Sequence, residues 1–113
     1  MATSKQIISK ATNSVADTPE EVYQSPERGG GTIVTAFTAT NTSTVNCYYR
    51  AYIVPKGGNV NNPQIKYRIV VWGEMDLGTG IDGQVIPPGG KLYIESSAPD
   101  SIYFTLSGRE TSA

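Results

Sequence analysis

Histidine is absent from the 113 residues, cysteine occurs once, and charged residues make up only 17% of the chain. Each shortage excludes something. Without histidine the chain lacks the most common general base at neutral pH, and with it every His-dependent triad and metal site. Cys47 alone permits no intrachain disulfide and no multi-cysteine zinc site, so stability has to come from packing or from partner subunits. Nine Lys and Arg against ten Asp and Glu give a net charge of −1, and the basic residues are scattered. That is not the clustered positive field that phosphate neutralisation requires, so nucleic acid is not an expected partner. No stretch approaches the ~20 apolar residues of a membrane helix, and Met1 to Ile8 lacks the apolar block of a signal peptide. The expectation is a protein made and kept soluble in the cytosol of its producer, with no membrane partner.

What the chain does have is short alternation. Its length suits one domain, and the apolar fraction of 38% leaves room for Thr, Ser, Gly and Asn, as expected where turns join many short strands. Thr32 to Thr40 is rich in β-branched residues and ends at the turn Asn41-Thr42-Ser43, which also fits a glycosylation sequon but reads as a turn. From Val45 to Ile53 the residues Val45, Cys47, Tyr49, Ala51 and Ile53 alternate with Asn46, Tyr48, Arg50 and Tyr52, the period of a half-buried strand. In the run from Ile65 to Trp72, Tyr67, Ile69 and Val71 alternate with Lys66, Arg68, Val70 and Trp72, and the first set reads as the apolar face. Gly73 to Gly83 reads as a long loop or a loosely paired hairpin. Leu92 and Ile94, then Ile102, Phe104 and Leu106, mark the closing strands.

With short strands near Val22-Tyr23 and Gln84-Val85-Ile86, six to eight strands in two antiparallel sheets are expected, a small β-sandwich or jelly roll over residues 21–113. The predicted core is Phe37, Cys47, Tyr49, Ala51, Ile53, Ile69, Val71, Leu92, Ile94, Ile102, Phe104 and Leu106. Residues 1–20 are polar and weakly periodic, and read as an extended N-terminal arm that Ile7, Ile8 and Val15 dock on a neighbouring subunit.

The residues offer little for bond chemistry. Cys47 sits on an apolar strand face, away from any base. Glu74, Asp76 and Asp82 form the densest acidic set, but they lack the residue order of a calcium loop, and a chain this small leaves little room for a glycosidase cleft. Gly78-Thr79-Gly80 and Gly29-Gly30-Gly31 precede no helix that would hold phosphate. No catalytic residue, cofactor or metal is expected. The functional surface is the other face of the strands, where Tyr48, Arg50, Tyr52, Arg68, Trp72, Tyr93 and Tyr103 point away from the core, since aromatics and arginine are enriched at protein interfaces.

Over about residues 20 to 110 the chain resembles small virion proteins of tailed bacteriophages. The likeness lies in the tyrosine-containing entry segment, Val34-Thr35-Ala36-Phe37-Thr38-Ala39-Thr40-Asn41, Ala51-Tyr52-Ile53-Val54-Pro55-Lys56-Gly57-Gly58, Ile86-Pro87-Pro88-Gly89-Gly90-Lys91-Leu92, and Ile102-Tyr103-Phe104-Thr105-Leu106-Ser107-Gly108-Arg109-Glu110. The resemblance implies a non-enzymatic homo-oligomeric subunit, present in many copies on the virion and bound to capsid, neck or tail proteins, with capsid decoration favoured over neck or collar. The other reading is a carbohydrate- or receptor-binding module that uses the exposed Trp and Tyr residues.

Overall fold

The computed structural model describes residues 2–11, 16–60 and 65–111. Among them are nine strand segments: β1 (Ala2–Ala11), β2 (Glu20–Gln24), β3 (Gly31–Asn41), β4 (Cys47–Val54), β5 (Lys66–Val70), β6 (Met75–Asp76), β7 (Val85–Ile86), β8 (Lys91–Ser96) and β9 (Ile102–Thr111). One sheet runs β1-β9-β3-β6, with β7 also on β3, and the other runs β2-β8-β4-β5. Every pairing is antiparallel. The short β6 and β7 lie at different points along the same edge of β3 and share one position, so each sheet is four positions wide. The chain crosses between sheets at nearly every connection, which makes this antiparallel sandwich a jelly roll.

The core lies between the sheets. Val34, Phe37 and Ala39 of β3, Cys47, Tyr49 and Ala51 of β4, Leu92 and Ile94 of β8, and Ile102, Phe104 and Leu106 of β9 alternate inward, each with outward neighbours. Phe37, Tyr49 and Phe104 form its centre, with ring centroids 5.5 to 5.8 Å apart. Gly78 is fitted against this cluster. At φ +63° it adopts a backbone conformation that L residues rarely take, and a Cβ there would sit 2.2 Å from Phe37 Cδ1.

Three expectations are corrected. On β5 the inward residue is Val70, while Ile69 and Val71 are 57% and 41% exposed. Register decides this: Cys47 stands opposite Val70 and Tyr49 opposite Arg68, so Lys66, Arg68 and Val70 share the core side, and a one-residue parity error exchanges the faces. Ile53 is only partly buried, and Val34, Ala39, Val70, Ile81 and Ile86 join the core instead. Ile81 comes from the glycine-rich stretch, which the chain orders by itself through Gly83 N–H to Val34 O (2.7 Å) and Ile81 N–H to Gly78 O (2.8 Å). Finally, residues 2–11 do not stand apart as an arm. They pair antiparallel with β9 from Ala2 opposite Thr111 to Ala11 opposite Tyr103, because the polar, β-tolerant segment finds an otherwise open edge to satisfy its backbone groups.

Candidate interaction face

Sheet register brings a set of polar aromatics together on the outer side of β2-β8-β4-β5. Tyr48, Arg50 and Tyr52 alternate outward on β4, opposite the inward Cys47, Tyr49 and Ala51. Across the ladder Arg50 faces Tyr67 on β5 and Glu95 on β8, Tyr48 faces Ile69, and Tyr52 faces Tyr93. The Arg50 guanidinium lies 4.8 Å from the Tyr48 ring centroid and 5.1 Å from that of Tyr67, and the two rings are 5.3 Å apart. A cation lying over two adjacent ring faces is attracted to both.

Glu95 anchors the other side of Arg50 at 3.7 Å and also accepts a hydrogen bond from the Tyr52 hydroxyl. It is 3% exposed although it lies on an outer face, because Arg50 and Tyr52 cover it. Burial, then the Glu95 contact, pushes the Tyr52 phenol up to about 12. The Tyr48 hydroxyl donates to Asp17, and that bond raises its pKa. These tyrosines are protonated donors at neutral pH, and the arginine is already oriented. The face is equipped to recognise a partner through aromatic area and fixed charge.

The rest of the expected set is dispersed. Arg68 is on the core side of β5, where it pairs with Asp76 at 3.4 Å, and Asp76 also accepts from the Tyr49 hydroxyl and from Gly78 N–H (3.0 Å). Burial, then this Asp76 contact, drives the Tyr49 pKa upward. Asp76 thus ties β4, β5 and its own strand β6 together. Trp72 follows β5 in a turn and is 60% exposed, its backbone N–H bonded to Asn46 Oδ1 at 3.1 Å. Tyr103 is on β9 in the opposite sheet. Ile8 stands opposite Leu106 in β1, Ile7 falls at the bulge between Gln6 and Ile8, and Val15 lies outside the described residues.

Sequence reading missed Tyr67, Ile69 and Glu95 as members of the face. Tyr67 and Ile69 were assigned inward with β5, and Glu95 is evident only from its register opposite Arg50. The available signal was that an edge strand tolerates inward-pointing charge, which admits Lys66 and Arg68 to the core side. Among the described residues, no group of three or more His, Cys, Asp or Glu is placed to hold a metal ion.

No family model and no curated protein matches the chain. A solved structure of Bacillus endospore appendages, which form a novel family of disulfide-linked pili, is similar in fold: the TM-score is 0.56 over 99% of this chain and 89% of that one, at 14% sequence identity.

Proposed function

We propose that the chain is a non-enzymatic structural subunit of a bacteriophage particle, present in many copies and bound to capsid, neck or tail proteins, with capsid decoration favoured over neck or collar. The observation that carries this reading is the preassembled Tyr48–Arg50–Tyr67 cluster with Glu95 behind it. Side chains ordered before contact lose less entropy on association, and Tyr and Arg are the residues that dominate interface energetics. The resemblance of the strand and turn motifs to phage virion proteins supplies the particle. The pilus structure supports the general idea that a sandwich of this kind serves as a repeating unit. Those pili are disulfide-linked. Here the single cysteine, Cys47, is 2% exposed on the core side of β4, so subunits would be held by non-covalent contacts.

Immunogold labelling of purified particles tests the reading. Label over the shell supports decoration, label at one vertex supports the neck or collar, and label at the tail supports an adaptor. Arg50→Ala, which leaves the core untouched, is expected to abolish incorporation while the isolated protein stays folded. No label on any particle overturns the proposal. Glycan binding lost in Trp72→Ala would then favour the carbohydrate reading.

A further inference from the structure

The sandwich has one flank that is conspicuously apolar. Tyr67, Ile69, Val71, Trp72, Met75 and Leu77 are all exposed and lie along β5, the turn after it, and β6 with the residue beyond. Along this flank β5 is an edge, paired among the described strands with β4 alone. Open edges are usually guarded by lysine, proline or a covering loop. β5 has no proline, and Lys66 does not stand over the edge, because its ammonium donates to Thr79 O at 2.7 Å. Arg68 is likewise turned to Asp76.

The opposite edge of the same sheet is β2, which among the described strands pairs with β8 alone. Its five residues, Glu20-Glu21-Val22-Tyr23-Gln24, carry two acids and no cation, whereas the five of β5, Lys66-Tyr67-Arg68-Ile69-Val70, carry two cations and no acid. Glu21 is ion-paired with Lys91 at 3.2 Å and Arg68 with Asp76 at 3.4 Å, but Glu21 and Arg68 are 42% and 61% exposed, and exposed pairs of this kind exchange partners at little cost. Direction fits as well. Successive pairs in β2-β8-β4-β5 are antiparallel, so β2 and β5 run in opposite senses, and a second copy displaced along the sheet brings its β5 antiparallel to β2. Self-pairing of β5 about a two-fold axis at Arg68 would instead set Arg68 against Arg68, and like charges directly opposite are destabilising.

We propose that the β5 edge of one copy pairs with the β2 edge of the next, joining their four-stranded sheets head to tail. This rests on the reading of the chain as a multi-copy subunit and names the partner as a second copy. Such an interface is heterologous and propagates to a ring or a filament.

Sedimentation of the full-length chain over rising concentration, with negative-stain microscopy, tests this. Wild type is expected to associate, and less so at high salt, where charge pairing is screened. Ile69→Lys blocks the β5 edge and Glu21→Lys opposes the β2 edge. Each is expected to shift association to concentrations higher by roughly tenfold or more, with near-ultraviolet dichroism confirming an intact fold. Mixed together, the two variants each retain one competent edge and are expected to form one-to-one heterodimers. Wild type that stays monomeric, variants that assemble like wild type, or a mixture that stays monomeric would each overturn the proposal. Particle labelling separates the two ideas: label on particles with a monomeric isolated chain removes only the edge pairing, and head-to-tail oligomers with no label remove only the virion role.

Discussion

Asn41 is fully buried at the end of β3, with its amide satisfied on both sides. Nδ2 donates to the carbonyls of Val45 (2.8 Å) and Val70 (2.9 Å), and Oδ1 accepts from the Ser43 N–H (2.9 Å) and hydroxyl (2.7 Å). Asn41→Ala removes the donor to two carbonyls at once and is expected to cost about 2–4 kcal/mol, read as a lower urea midpoint with an unchanged slope. Asn41→Asp keeps the acceptor but puts a carboxylate beside two carbonyl oxygens, and should be no more stable than the alanine variant at neutral pH. The turn at this position was legible in Asn41-Thr42-Ser43, but the reach to Val70, 29 residues away, was not, because local turn chemistry carries no information on distant partners. Raised tyrosines set the alkaline limit, Tyr49 among them through burial and then Asp76. Tyr23 and Tyr52 are both raised from 10.0 to about 12, first by burial and then by hydrogen bonds to Glu110 and Glu95. A phenol that holds its proton more tightly when folded contributes stability that is fully present below its unfolded pKa of about 10, and loses it as pH rises through the folded value. The urea midpoint is therefore expected to fall between about pH 10 and pH 12, and Tyr52→Phe should flatten that fall. A wild-type midpoint that holds steady across this range would refute it.

Between β4 and β5 the same period of two gave one correct face and one inverted face. On β4 the inward set Cys47, Tyr49 and Ala51 is small or aromatic and the outward set is Tyr48, Arg50 and Tyr52, so hydrophobicity separates them. On β5 the set Tyr67, Ile69 and Val71 is the more apolar, yet it faces out, because a strand at the rim of the sheet buries little and its orientation follows from pairing with β4. The two assignments predict different energetics. Val70→Ala deletes methyl groups from the core and is expected to destabilise the monomer by about 1–3 kcal/mol. Ile69→Ser, at an exposed position, should stay within about 0.5 kcal/mol. Chemical denaturation at high dilution measures both, and the opposite ranking would reverse the face of β5. Ile69 thereby separates two roles, since its replacement should leave the folded monomer alone while weakening the contact between copies.

At the scale of the molecule, alternation identifies strands and their faces but not which strands meet. The inward residues of β9, Ile102, Phe104 and Leu106, were legible, whereas the β1-β9-β3 order was not: periodicity is the same whatever the neighbour. That order has a kinetic consequence. Ala2 stands opposite Thr111, and β9 also pairs along its length with β3, so the first sheet closes only when segments from both ends of the chain meet. Loop closure over such separations slows folding, and domains dominated by non-local pairing refold in roughly milliseconds to seconds. Circular permutation tests whether the β1–β9 docking is part of the slow step. A flexible linker joins the two ends of the 113-residue chain, and new termini open between Gly57 and Gly58 in the exposed turn after β4. In that chain β1 and β9 become sequence neighbours, as in a hairpin. If their docking is formed at the barrier, the permutant refolds several-fold faster than wild type in a stopped-flow experiment, at nearly the same stability. An unchanged rate would mean that β1 docks after the barrier, on a sandwich already built from β3, β4, β8 and β9. In that case late docking would leave the β9 edge open during folding, and aggregation on refolding should rise with protein concentration.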